Sequence, residues 1–395
     1  MSDKVISFIQ PSRNNLKYLK WSYNSIRKNL GYRHEIMFGD DFSDDGTWEW
    51  LEEIQKKDPN VQIFRNDGPE RKGIVYWYDF LCEKASNDIV MFFHADMYAC
   101  PNLDTEILRH LEKGKVVSAT RIEPSLHPDG PEKILKDFGI EPEEFDELGL
   151  IEFAKNCEDK TTEGVFAPWA IYKEDYWKTG GHDELFAPQS KEDSDIFNRF
   201  HLLGLEFIQT WKGLVYHMTS RGSRFNPSSG GAPGKDSPEW IYTTTKNMRN
   251  FIRKWGTIVQ HDQHMKPIVS PKYNIAFIAR KCNKHLLREL EVWCDKIYLD
   301  FGSDYMSEYI REEKLNTTID INEKIKLYGT ADITKFADIV IDFDASSITQ
   351  KEIDVITNLP KILEDSGEVG VMEYGIFTFY INSLKTYEKD LILVK

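Results

Sequence analysis

Carboxylates and histidines gather in four short stretches of this chain, each closing a strand-like run or opening a helix-like one. "DDFSDDGT" (40–47) puts Asp40 and Asp41 directly behind the apolar run "EIMF" (35–38). A carboxylate at an opening strand end is placed to accept a hydrogen bond from a ribose hydroxyl or a base N–H. Ser43, Asp44 and Asp45 have a second reading, as caps of the helix that follows. "DIVMFFHADMY" (88–98) ends its apolar run on His94, Ala95 and Asp96. A carboxylate such as Asp96 can hold a divalent cation that bridges two phosphates, and hard oxygen ligands favour Mg²⁺ or Mn²⁺ in that position. His94 reads either as structure or as a ligand.

The third stretch, "SKEDSDIFNRFHLLG" (190–204), carries Glu192, Asp193 and Asp195 at a helix start. Acids suit a helix N-terminus, and Asp195 with Arg199 forms an i,i+4 pair. The competing reading makes one carboxylate a general base, which requires it to be ionised and within reach of an acceptor hydroxyl. The fourth, "LVYHMTSRGS" (214–223), offers His217 as a nitrogen ligand for a metal. Trp169 in "FAPWAIY" and Trp211 are candidates for stacking on a sugar ring, and both fit a core position equally well.

The elements that must position these side chains are strands and helices in alternation. "VISFI" (5–9), "EIMF" (35–38), "VQIF" (61–64), "DIVMFF" (88–93) and "VVSAT" (116–120) read as strands covered on both faces. Between the first two, Leu16, Leu19, Tyr23 and Ile26 recur at helical spacing, with Gly31 as the stop. "DDGTWEWLEEIQKK" and "GIVYWYDFLCEKA" supply the next two helices. The pattern predicts an α/β fold with a mostly parallel, doubly wound sheet whose ligands sit at the carboxyl ends of the strands. Residues 121–162 read as an acidic, irregular insertion, and the Gly-, Ser- and Pro-rich 222–238 as a mobile loop.

A helix over 239–256 precedes a Pro-broken boundary, "HDQHMKPIVSPKYN". A second alternation then begins: "NIAFIA", helix "HLLRELEVWC", "KIYLDF", "ADIVIDFD", a helix at 349–364, "VGVMEY" and "DLILVK". The division expected is 1–265 and 271–395, the second a smaller α/β domain. Its later strands loosely resemble those of a methyltransferase-like sheet, but no G-x-G nucleotide loop accompanies them, so it reads as an accessory or oligomerisation element.

A formal net charge of −15 argues against a nucleic-acid partner, because neutralising phosphates needs clustered Lys and Arg. The five cysteines are odd in number and show no C-x-x-C pairing. With no signal-peptide core and no apolar run near the ~18 residues that span a bilayer, the expectation is a soluble, cytoplasmic protein.

Taken in order, these stretches resemble the family 2 glycosyltransferases of GT-A fold over roughly residues 4–220. "VISFIQPSRN" is similar to that family's opening strand and P-x-x-N turn, and "DDFSDDGT" to its "DDGSTDGT" box. "HAD" stands where the family has D-x-D, with His94 in place of the first aspartate. "GGHDELF" (180–186) resembles "GGFDE-x-F", "KEDSDIFNRFHLLG" the "ED-x-D-x-x-x-R" helix, and "VYHMTS" the late metal-binding histidine.

The resemblance implies that Pro11, Ser12 and Arg13 line the nucleotide, that Asp40 or Asp41 holds base or ribose, and that Arg71 and Lys72 contact nucleotide or phosphate. It makes Asp96 the metal ligand with His217 as partner, leaves His94 and Ala95 beside the donor, and makes Asp193, following Glu192, the base. The implied reaction is inverting transfer of a sugar from a UDP- or GDP-type donor to a saccharide or glycoconjugate hydroxyl, with Mn²⁺ or Mg²⁺. A non-catalytic sugar- or nucleotide-binding module is the rival, motivated by His94. A nucleotidyltransferase ranks last, because "FIQPSRNNLKY" has no glycine.

Overall fold

The computed structural model describes residues 4–300, 304–329 and 333–394, and the chain divides into two units. The first comprises the residues up to Thr244 with His261–Ile268 and the last residues from Leu393; the second comprises Thr245–Gln260 and Val269–Ile392.

In the first unit, β1 (Ile6–Ser12), α1 (Leu16–Asn29), β2 (Glu35–Asp40), α2 (Thr47–Lys57), β3 (Val61–Arg65), α3 (Gly73–Lys84) and β4 (Ile89–Phe92) follow the alternation read from sequence. β1 is flanked by β2 and β4, and β2 by β3, all parallel. Leu19, Tyr23 and Ile26 of α1 enter one core cluster with Phe8, Ile36, Phe38 and Met91. Burial of each such side chain contributes about 1.5–3 kcal/mol.

The sheet continues with β5 (Met97–Ala99), α4 (Leu103–His110), β6 (Lys115–Glu123), β7 (Lys133–Leu135), α5 (Glu147–Lys155), β8 (Thr161–Thr162), β9 (Trp169–Tyr172), α6 (Lys173–Trp177), α7 (Glu192–Leu202) and β10 (Glu206–His217). Strand order is β3-β2-β1-β4-β9-β6-β10-β5, so the sheet is mixed. β9 lies antiparallel between β4 and β6, and β5 is antiparallel to β10. The insertion after residue 120 is less irregular than its composition suggested: β6 runs on to Glu123, pairs with parallel β7, and α5 follows.

Register decides what meets at the carboxyl edge. Ser12 pairs with Asp40, and Ile9 with Phe92, so the ends of β1, β2 and β4 arrive together. β10 pairs parallel with β6, Tyr216 opposite Ile122, which sets His217 beside Glu123. β10 also pairs antiparallel with β5, His217 opposite Met97, which sets it beside Asp96. A one-residue slip would turn each of these side chains to the other face.

The 222–238 stretch is folded around Asn226: its side-chain oxygen accepts from Ser228 N (2.9 Å), while Arg224 pairs with Asp236 (2.9 Å). α8 (Pro238–Trp255) follows it. No helix among the described residues is long and apolar enough to cross a membrane.

The second unit has its own six-stranded sheet, with β11 (Ile275–Arg280), β12 (Lys296–Leu299), β13 (Ile325–Leu327), β14 (Ile339–Asp344), β15 (Gly370–Tyr374) and β16 (Phe377–Ile381). The order is β13-β12-β11-β14-β16-β15, and β16 is antiparallel to both neighbours. "FTFYI" is therefore a strand that the sequence pattern did not single out. "DLILVK" forms no strand over its described residues 390–394, and Glu388–Leu391 forms a 3₁₀ turn. The end of the "KIYLDF" reading, Phe301, lies outside the described residues.

Candidate functional site

Apolar residues fill β4 up to Phe92, and Phe93 N still bonds Ile9 O at 3.0 Å. The chain then leaves the ladder and delivers His94 and Asp96 at the edge. The Asp96 carbonyl accepts from Met218 N (3.0 Å), and its Oδ2 accepts from Arg221 N (2.6 Å). Asp96 Oδ1 stands 3.3 Å from His217 Nε2, and the His94 and His217 rings are 5.9 Å apart. One ligand atom from each of His94, Asp96 and His217 lies within 4.8 Å of the others. Two imidazole nitrogens and a carboxylate oxygen form a donor set that fits a divalent transition metal.

Glu123 supports this cluster from behind. Its Oε1 is 2.7 Å from His217 Nδ1, so the carboxylate holds that ring and leaves Nε2 towards Asp96. Arg121 (3.4 Å) and Lys133 (3.2 Å) hold Glu123 in turn. Burial disfavours charge on His217, but the Asp96 and Glu123 carboxylates outweigh it and raise the imidazole to about 9. His94 is lowered to about 4 by burial, so it is a neutral ring with a lone pair available. Asp96, although buried, is held below the usual carboxylate range by His217.

The second group lies at the start of α7, on two consecutive residues in the left-handed region, Ser190 (φ +78°) and Lys191 (φ +73°). The same backbone feature recurs beside His217, at Thr219 (φ +68°) and Ser220 (φ +56°). Non-glycine residues pay about 1–2 kcal/mol for that conformation, and such positions concentrate at functional sites.

Burial raises the carboxyls of both Glu192 and Asp193, and for Glu192 the neighbouring Asp193 adds to it. Glu192 Oε2 is buried without a hydrogen-bond partner. Asp195, by contrast, is spent on structure, bonding Arg199 Nε at 2.9 Å.

Tyr78 lies on α3. Its hydroxyl is buried without a partner, and the fields of Asp193, Glu192 and Asp96 all reach it behind the larger effect of burial. It stacks on His182 (5.5 Å), whose Nδ1 faces Asp79 (3.1 Å) while Nε2 is also unpartnered. Sequence reading missed Glu123, Tyr78 and His182. Glu123 did carry a signal, since "VVSATRIE" ends on a charge as "DIVMFFHAD" does.

The two aspartates behind β2 separate cleanly. Asp41 is consumed by the fold: Asn66 Nδ2 (2.9 Å), Lys72 N (3.0 Å) and Gly73 N (2.9 Å) all donate to it. Gly73 has φ +81° and lies against Pro188, so only glycine brings the amide this close. Asp40 Oδ2 accepts no hydrogen bond and lies 3.7 Å from Arg65 Nε, with Oδ1 accepting from Ser43 N (3.2 Å). Burial raises the Asp40 carboxyl. Gly46, and not Ser43, Asp44 or Asp45, is the N-cap of α2, and Asp45 Oδ1 accepts from Thr47 N at 3.1 Å just ahead of the helix.

Pro11 and Ser12 close β1 beside Asp40, and Ser12 Oγ is buried without a partner. Arg13 (3.7 Å) and Arg71 both reach Glu239. The Lys72 ammonium sits over the Tyr76 ring at 4.4 Å, and Ala95 is buried between the two cluster residues. Trp169 corrects the sugar-stacking reading: it is 0% exposed and stacked on Phe92 at 4.0 Å, a core residue. Trp211 donates to Thr162 Oγ1 (3.0 Å) under Lys160.

Residues 7–177 match the family model described as Glycosyl transferase family 2. The matched segment includes Asp40, His94, Asp96 and Glu123, and ends before Asp193 and His217. No curated protein matches the chain.

Among solved structures, GalNAc-T7 with UDP, GalNAc and Mn²⁺ is 14% identical, covering 64% of this chain and 51% of that one, TM-score 0.46. The mannosyltransferase PcManGT of Pyrobaculum calidifontis with GDP-Man and Mn²⁺ is 14% identical, covering 54% and 56%, TM-score 0.39. TarS 1-349 of S. aureus with UDP is 15% identical, covering 62% and 65%, TM-score 0.41. The chain thus spans between 51% and 65% of these solved chains.

Proposed function

We propose that the chain is a metal-dependent, inverting glycosyltransferase that moves a sugar from a UDP- or GDP-type donor to an acceptor hydroxyl. The observation that carries this reading is the His94–Asp96–His217 cluster, braced by Glu123, at the carboxyl edge of the sheet in a chain that matches family 2 over residues 7–177. A divalent cation bound there supplies positive charge against the diphosphate that leaves with the breaking glycosidic bond. His94, Asp96 and His217 would hold it, and Glu123 keeps the His217 ring oriented. Asp40 and Ser12 accept and donate hydrogen bonds on the nucleoside side, and Arg13 and Arg71 face its phosphates.

Asp193 takes the proton of the acceptor hydroxyl as that oxygen attacks the anomeric carbon opposite the leaving group. One displacement inverts the configuration and needs no enzyme nucleophile. Burial of Asp193 raises its basicity, which suits a general base.

The test is transfer or donor hydrolysis with Mn²⁺ across UDP- and GDP-sugars, comparing wild type with Asp193→Asn. Loss of the base lowers kcat by about 10²–10⁴-fold with donor binding intact; a fully active Asp193→Asn removes the assignment. His94 in the place of an aspartate favours one rival, a non-catalytic donor-binding module. Nucleotide-sugar binding without turnover over the whole panel would establish that rival instead.

A further inference from the structure

Beside the strand ends lies a small polar cleft, lined in part by Arg13, Arg71, Gln189, Asn226, Ser229 and Glu239. Its centre is a carboxylate between two guanidiniums. Arg71 Nη1 donates to Glu239 Oε1, Arg13 Nη1 lies 3.7 Å from the same oxygen, and Ser229 Oγ donates to Oε2 at 2.8 Å. Arg71 is further oriented by Gln189 Oε1 (2.8 Å). Its Nε is buried without a hydrogen-bond partner, 3.7 Å from Asp41 Oδ2. Two cations thus converge on one internal anion, with a donor atom still unsatisfied.

We propose that Arg13 and Arg71 form a phosphate pincer whose resident occupant is Glu239, and that the phosphate of a bound nucleotide displaces this carboxylate. The proposal rests on the donor-binding role given above to the two arginines. The chemistry favours exchange. Glu239 is 37% and Arg13 36% exposed, so the Arg13 arm of the resident carboxylate is wet and weakly held, whereas a phosphate accepts bidentate, charge-assisted bonds from guanidinium. Glu239 is ionised for the exchange: burial works against its charge, but Ser229, Arg71 and Arg13 outweigh it. Because Glu239 opens α8 and its partner Ser229 belongs to the 222–238 stretch, displacement frees that stretch from the pincer. Glu239 therefore acts as a competitor built into the chain, and every nucleotide affinity is lowered by the fraction of molecules in which it is seated.

Calorimetric titration of UDP and of GDP, each with Mn²⁺, into wild type and Glu239→Gln reads this directly. The expected result is binding to Glu239→Gln at least ~5-fold tighter than to wild type, since the competitor is gone. Ser229→Ala, which removes the second hydrogen bond to Glu239, is expected to move affinity in the same direction by less, and it decides the matter if Glu239→Gln does not fold. Equal or weaker binding by a folded Glu239→Gln, with wild type binding nucleotide, overturns the pincer and leaves the glycosyltransferase reading standing. Failure of wild type and both variants to bind either nucleotide overturns both.

Discussion

Buried charge is handled in opposite ways by the two units. In the second unit, Arg253 is enclosed by Glu291, Glu313 and the Asn250 side chain (2.8 Å). Arg249 (2.7 Å) and the Tyr309 hydroxyl (2.8 Å) complete the shell around Glu291. The carboxylates are driven well into their ionised form, for Glu291 against burial and by Arg253 first. In the first unit, the carboxyl edge buries Glu192 Oε2, Asp40 Oδ2, Ser12 Oγ and the Tyr78 hydroxyl without a hydrogen bond, although Arg65 Nε lies 3.7 Å from Asp40 Oδ2. Left-handed Ser190–Lys191 and Thr219–Ser220 flank the two acidic groups. A satisfied network specifies structure, whereas unsatisfied polar atoms on a strained backbone mark where a ligand completes the shell.

Breaking this contrast at its sharpest point, Asp193→Asn is expected to leave the melting temperature near wild type while kcat falls by about 10²–10⁴-fold. In the paired network the reverse holds. Arg253→Met leaves Glu291 and Glu313 buried without their central cation, and chemical denaturation should register a loss of about 3–5 kcal/mol with the metal site unaffected. A smaller effect is expected from Glu123→Gln, which keeps the fold but unfixes His217; Mn²⁺ affinity should weaken by about 10–100-fold. An unchanged Mn²⁺ affinity would return Glu123 to the structural class.

The mildest change probes charge and pH. The Glu192 carboxyl is raised in the folded protein, so it resists ionising there while the unfolded chain ionises near the ordinary value of about 4.3. The resulting penalty is absent below that value and grows as pH rises through it towards the folded one. Glu192→Gln should therefore raise the melting temperature relative to wild type at pH 8 and not at pH 4. A constant difference at both pH values would contradict the direction assigned to Glu192.

Which parts were legible in the sequence follows from range. β1 to β4 and their helices are set by local apolar periodicity and appear where the pattern put them. Asp96 was visible because a charge closing an apolar strand is locally anomalous. Asp41 was not separable from Asp40, because its donors, Lys72 N and Gly73 N, lie about thirty residues along the chain. Glu123 was hidden inside a stretch whose acidity masked a strand; only the β6–β10 register shows that it faces His217. Trp169 could not be told from a sugar platform until Phe92 was seen stacked on it. The second sheet's antiparallel β16 was passed over because "FTFYI" is short and follows a turn at Gly375.

The central claim is that His94, Asp96 and His217 form a divalent-metal site that presents the donor diphosphate. It is tested most directly by titrating Mn²⁺ into wild type and Asp96→Asn, each with and without UDP or GDP, by electron paramagnetic resonance. The account predicts one Mn²⁺ per wild-type chain, bound more tightly with nucleotide, and no such site in folded Asp96→Asn. Equal Mn²⁺ binding by both proteins, or nucleotide binding that is indifferent to the metal, would contradict it.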